Sequence, residues 1–435
     1  MLMTRLPRRA TRAIGIAAAA LIALPLAACG DDKGGGGQAA NGNVEIEFIW
    51  WGSDARAKAT NQAVDLFQQK HTNIKVKRSF QQFDPYFQQL STRIAGGNAP
   101  DVVQMDRGYL REYADRNALL DLGEQITNGT LKTADHTQSL LPAGQISGKT
   151  FAIPAAQNTQ TVWYDPAVLK KAGVEAPSAT WTYDQAQAAA AKVKAATGGK
   201  TTLFGDFGYA IDWFDVWLNQ RGKSIYTDGK VGWTEADLTE FWTLTGKLRQ
   251  AGAIVAPEVT TQQDGSIQNS SLVKKAAAAE YNYDSGFTGA VAAYGAPLEL
   301  GPVPSDTDKR GMAAQMSMAF SVAKASKHPK ESAMLIDFLL NDLEAGKILA
   351  VSRGVPVNSK VRDAIEPNLS ENDKKVMAYE KSVASLLLPT PAPQPKGGGA
   401  VKAEFQKVYD EVIFNKLTPA AGAKRLFDQT KSLLG

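Results

Sequence analysis

The chain has 435 residues, with 48 Lys and Arg against 44 Asp and Glu. Four of the arginines fall within residues 1–28, which hold no acid, so the rest of the chain is balanced and gives no basis for binding nucleic acid. The single cysteine rules out a disulfide framework and a thiolate metal site, and His71, His136 and His328 lack the i, i+4 partner of a catalytic zinc helix.

Residues 1–28 read as an export signal. Arg5, Arg8, Arg9 and Arg12 precede an alanine-rich apolar run from Ala13 to Ala28 that is too short to span a bilayer comfortably. The segment Leu26-Ala27-Ala28-Cys29 looks like a bacterial lipobox. That likeness implies cleavage before Cys29 and lipid attachment to its sulfur, anchoring the protein to the outer face of the cytoplasmic membrane. Residues 29–43 then form a flexible tether, in which nothing apolar up to Gly42 is larger than alanine. Arg8-Arg9 leaves both the general and the twin-arginine export routes open.

From Val44 the pattern changes to that of a folded α/β layer. Val44, Ile46 and Phe48 alternate with Glu45 and Glu47 as in a half-buried strand. Ala59, Ala63, Leu66 and Phe67 share a helical face, and Ile74 to Phe80 forms a second strand. Phe87, Leu90 and Ile94 mark a helix closed by Gly96-Gly97, and Asp101 to Asp106 reads as a buried strand ending in a carboxylate. Downstream, Asp165-Pro166 starts a helix that Gly173 ends, and Thr182 with Gln185 forms a capping box before an alanine-rich helix to Ala196. An apolar stretch from Met312 to Val322, a helix from Glu331 to Leu343, a Pro/Gly-rich loop from Pro389 to Gly399 and helices from about Val401 complete the chain.

Six segments in this order resemble the extracellular solute-binding proteins of sugar ABC importers, the group that includes maltose-binding protein. They are Phe48-Ile49-Trp50-Trp51-Gly52, Gly96 to Val103, Gly148 to Pro154 with Trp163-Tyr164-Asp165, Gly301-Pro302-Val303-Pro304, Ala319 to Val322, and Arg353 to Asn358. The resemblance implies an α/β, two-lobed periplasmic-binding-protein-like fold, with the ligand cleft between lobes joined by hinge crossings. One lobe is expected from 44–154 plus 306–352, the other from 155–305 plus 353–435. It also implies a monomer without enzymatic activity or cofactor, whose partners are a small-molecule carbohydrate and the ABC permease membrane subunits.

A sugar site needs carboxylates, amides or arginine for hydroxyls and aromatic rings for C–H faces, placed beyond the carboxyl ends of strands. That rule selects Trp50, Trp51, Ser53 and Asp54 after the first strand, Gln82 after the second and Asp106 after the third. In the other lobe it selects Asp212, Trp213, Tyr283, Asp284 and Phe287, with Asn158 past a hinge. Arg353 suits either a ligand contact or an ion pair between lobes, while Trp163, Trp181, Trp233 and Trp242 suit core packing. Gly148-Lys149-Thr150 and Gly199-Lys200-Thr201 lack the upstream glycine of a phosphate loop, since Ala143 and Lys194 stand there. Two rival readings are an exported glycosidase using Asp212 with Asp215, or Asp106 with Asp284, and the same scaffold carrying a non-sugar organic solute.

Overall fold

The computed structural model describes residues 43–435 apart from Ser53 and Gly265; the export signal, Cys29 and almost all of the tether lie outside the described residues. Strand β1 (Val44–Trp51), helix α1 (Asp54–Lys70) and strand β2 (Ile74–Gln81) form a parallel β-α-β unit, registered from Val44 opposite Ile74 to Trp51 opposite Gln81. Helix α2 (Phe83–Ala95) leads to β3 (Val102–Met105), which lies parallel to β1 on its other side. The carboxylate expected at the end of that strand, Asp106, is the N-cap of helix α3 (Arg107–Asp115).

The strand β4 (Ile153–Tyr164) holds the architecture together. Its 12 residues span roughly 40 Å, enough to serve two layers. Ile153 and Ala155 join one hydrophobic core, and Val162 and Tyr164 join another. Asp165 then caps helix α4 (Pro166–Ala172), accepting from the amides of Ala167 and Val168, and Gly173 ends it at φ +62°. The Thr182–Gln185 capping box opens α5 (Tyr183–Ala196). Next come β5 (Thr202–Phe204), α6 (Ile211–Gln220), α7 (Glu235–Gln250), β6 (Ala277–Tyr283) and the short β7 (Glu299–Gly301).

The apolar stretch after Met312 becomes β8 (Ala314–Val322), antiparallel to both β3 and the first half of β4. The helix expected from Glu331 to Leu343 instead runs as α8 (Pro329–Asn341) and restarts as α9 (Leu343–Leu349). Asp342 breaks it: its backbone is extended, and its carboxylate caps the amides of Glu344 and Ala345. The chain continues through β9 (Val355–Pro356) and α10 (Glu371–Val383) to α11 (Gly398–Ile413) and α12 (Pro419–Leu434).

The strand order is β2-β1-β3-β8-β4-β6-β5, with β7 and β9 also pairing with β4. Phe48, Phe67, Val103, Phe320 and Leu335 lie in the first core; Leu203, Phe214, Trp217, Phe405 and Leu426 lie in the second. Trp181, Trp233 and Trp242 are buried in that second core and Trp163 in a smaller third, as their size leads one to expect. The fold is thus α/β and two-lobed, with β4 crossing between the packed regions.

Candidate functional site

At the carboxyl ends of β3 and β6 a cavity of about 660 Å³ opens between α3 on one side and α6, Tyr283 and the loop before α11 on the other. Asp106, Asn158, Asp212 and Tyr283, all selected from the sequence, line it together. Gln315, Met316 and Ser317 of β8 form its floor beside Asn158, which is registered opposite Gln315.

Asp106 leaves β3 with extended backbone and accepts the Gly108 amide at 2.7 Å, which fixes its carboxylate at the cavity edge. It is half-buried by area, but the concave walls deprive it of hydration. Burial therefore raises its pKa, against the opposing pull of the Gly108 amide, Arg107 and Lys402. Asp212, in the first turn of α6, is 3.1 Å from Lys402 Nζ and 4.0 Å from an Arg107 Nη. Burial works against its charge, but Lys402 and Arg107 prevail and hold its pKa below the ordinary value. Tyr283 O–H donates to Gln315 Oε1 at 3.4 Å, and Asn158 Nδ2 donates to Ser285 Oγ at 3.4 Å.

A second cavity of about 670 Å³ adjoins the first, sharing Arg107, Arg111, Gln394, Pro395 and Lys396. Asp215 lines it and accepts the Ile225 amide at 2.8 Å; burial pushes its pKa up to about 6. Arg111 Nε donates to the Gln394 carbonyl at 3.1 Å, tying α3 to the proline-rich loop.

The other sequence candidates lie elsewhere. Trp50 and Trp51 are 1% and 7% exposed, because the end of β1 is covered on both faces. Trp50 packs on Phe48 and Phe80, and Trp51 sits among Phe83, Tyr86 and Phe87. Ser53 lies outside the described residues, Asp54 opens α1 on the surface, and Gln82 is exposed before α2 without lining the cavity. Trp213 is buried behind Tyr283, with ring centroids 5.6 Å apart, so it braces that ring from the core. Phe287 belongs to the third core. Asp284 is 1% exposed and accepts the Thr159 amide at 3.0 Å in a layer where Glu380 faces it.

Arg353 is also buried, and its side-chain hydrogen bonds run to neutral groups rather than to a carboxylate of the other lobe. Its Nε donates to Gln104 Oε1 at 3.0 Å and an Nη to Thr60 Oγ1 at 2.8 Å. Burial, followed by the charge of Arg56, lowers its pKa to about 9. Its own carbonyl accepts the Ser317 hydroxyl at 2.7 Å, so it steadies the cavity floor from behind.

Sequence reasoning passed over the basic side chains of the cavity. Arg107 and Arg111 follow Asp106 at i, i+4 spacing on one helical face, a local signal that was available. Lys396 and Lys402 carried none, because only the fold brings the loop and the start of α11 against α3.

Comparison with known proteins agrees with this architecture. The model of a bacterial extracellular solute-binding protein family matches residues 62–378. A solved extracellular solute-binding protein family 1 structure from Alicyclobacillus acidocaldarius superposes with a TM-score of 0.74 at 28% identity, covering 90% of this chain and 99% of that one. A periplasmic oligogalacturonide binding protein from Yersinia enterocolitica superposes at 0.76 and 22% identity, covering 90% and 99%. The diacetylchitobiose binding protein DasA of Streptomyces coelicolor is 30% identical over 173 residues, 39% of each chain. The chain spans half or less of the length of the curated relatives it matches. With a family match over well more than half of its length and the family's architecture throughout the described residues, the chain belongs to the bacterial extracellular solute-binding proteins.

Proposed function

We propose that this protein is a lipid-anchored extracytoplasmic receptor that captures a mono- or oligosaccharide and delivers it to an ABC transporter permease by closure of two lobes. The lobes are taken as 44–154 plus 306–352 and 155–305 plus 353–435. The observation that carries the reading is the cavity itself. One wall, Asp106 with Arg107 and Arg111, and the other, Asp212, Tyr283 and Lys402, come from segments far apart in the chain. A solute touching both walls stabilises the closed arrangement by its differential contacts, and the permease reads that arrangement.

In this reading Asp106 and Asn158 hold hydroxyls, Tyr283 offers a ring face, and Trp213 keeps that ring in place. The sugar-binding names among relatives, for diacetylchitobiose and oligogalacturonide, support a carbohydrate. Four basic side chains in the cavity argue against an organic cation as cargo. Thermal-shift screening of the purified protein against sugars tests the reading. A bound sugar raises the melting temperature by mass action and is recovered unchanged. No stabilisation by any sugar rejects a saccharide cargo, and product release shows a glycosidase. For the anchor, Cys29→Ser is expected to be exported but released from membranes; retention equal to wild type rejects lipid attachment at Cys29.

A further inference from the structure

The charged side chains of the two adjoining cavities, four cations and five acids, are unevenly paired. Among their acids, Asp212 faces two cations, Lys402 and Arg107. Glu112 is held by Arg116 at 2.9 Å, Asp106 by the Gly108 amide and Asp215 by the Ile225 amide. Four of the five carboxylates therefore have an internal partner, while Asp228, exposed and lining the second cavity alone, has none among the described residues. Two of the four cations are left open at the boundary that the cavities share: among the described residues, the Lys396 ammonium and the two terminal nitrogens of Arg111 have no hydrogen-bond or ion-pair partner.

Arg111 is also pre-oriented. Its Nε is spent on the Gln394 carbonyl at 3.1 Å, which fixes the guanidinium plane and leaves the Nη fork toward the cavities. Arg111 and Lys396 lie on the boundary that both cavities share, so a chain of sugar units running from one into the other passes them. A planar fork with a nearby ammonium suits an acid group, because a charge-assisted, two-pronged bond replaces the water that an unpaired cation otherwise holds.

We infer that the solute is an acidic saccharide whose anionic group is bound by Arg111 and Lys396 where the two cavities meet. The inference rests on the saccharide reading above. The acid group has two chemical sources, the carboxylate of a uronic acid or a sulfate or phosphate ester, and both satisfy the same cations.

Titration calorimetry on the purified protein separates the outcomes, using short uronic-acid oligosaccharides, their carboxyl-reduced neutral counterparts, and sulfated or phosphorylated sugars. The acidic form of a matched pair is expected to bind roughly ten- to hundredfold tighter than the neutral form. Its affinity is expected to fall as salt rises. Replacing Arg111→Gln together with Lys396→Gln should bring the acidic-to-neutral ratio toward one, a ratio that general loss of folding does not move. The uronate and ester arms identify which acid is carried. Neutral sugars binding as tightly as acidic ones overturn the inference and leave the saccharide reading standing; no binding by either series overturns both.

Discussion

Two groups of carboxylates lie near the lobe crossings, and they are held in opposite ways. Asp212 in the cleft is held by cations, Lys402 at 3.1 Å and Arg107 at 4.0 Å, so its charge is favoured. Asp284 and Glu380, in the layer against β4, are held by neutral donors. Gln157 Nε2 donates to Glu380 Oε2 at 2.5 Å, the Thr159 hydroxyl to Glu380 Oε1 at 3.2 Å, and the Thr159 amide to Asp284 Oδ1 at 3.0 Å. With no cation of the described residues bonded to either, burial and mutual repulsion raise Asp284 far above the carboxylate range, so a proton stays on the pair. A carboxylate that water and mobile cations can reach is available to a solute, whereas one built into the crossing strand serves the scaffold.

The largest expected effect is structural. Glu380→Ala leaves Gln157 and Thr159 without their acceptor inside the protein, a loss of about 2–4 kcal/mol of unfolding free energy. Urea denaturation measures it, and a change below half that range would place water in the layer. Next comes the cleft. Asp106→Ser keeps an oxygen to cap α3 but removes the carboxylate, so stability should hold while ligand affinity falls ten- to hundredfold, about 1.5–3 kcal/mol. Calorimetry with the ligand found by screening decides it; unchanged affinity would make Asp106 a helix cap and nothing more.

What could be read from residues alone follows the same division. Strand alternation and helix caps are local, so β1, β2, α4 and the Thr182 capping box were legible. The strand-end rule reached Asp106, whose role as an N-cap already points it outward. It failed at Trp50 and Trp51, because Phe80 of β2 covers one ring and α2 the other, a tertiary fact with no local trace. Lys402 was out of reach for a related reason: it meets Asp212 across 190 residues of sequence, and a lysine early in an amphipathic helix reads as ordinary surface. The composition of Pro389–Gly399 marks it as a loop, but its place at the cavity wall depends on the contact between Gln394 and Arg111.

The third prediction concerns protons. Asp284 keeps its proton in the folded protein to a pH where the unfolded chain has lost it. This stabilisation is complete below the ordinary carboxylate pKa and is lost as pH rises through the raised folded value. Arg362 opposes the effect through Glu380, and Tyr379, packed beside the pair, is itself raised by burial. Asp284→Asn copies the protonated form, with its carbonyl accepting from Thr159 and its amide donating toward Glu380. The difference in unfolding free energy between wild type and variant should therefore move against wild type by up to about 1.4 kcal/mol per pH unit through that interval. Parallel stability curves would show that the pair holds no extra proton.

The smallest expected effect belongs to Asp212→Asn. Its cations have side chains that remain 53% exposed at Lys402 and 20% at Arg107, so water can take over much of the lost ion pairing. Unfolding free energy should change by no more than about 1 kcal/mol, and less at high salt. The sign with pH is opposite to that at Asp284. The folded pKa of Asp212 is depressed, so its contribution is present above the ordinary carboxylate pKa and disappears as pH falls through the lowered value. Urea titrations of wild type and variant, at low and high salt and at neutral and acid pH, measure all three features. If Asp212→Asn proves as costly as Glu380→Ala and insensitive to salt, the cleft carboxylate is a structural ion pair, and the distinction between the two groups fails at its most exposed member.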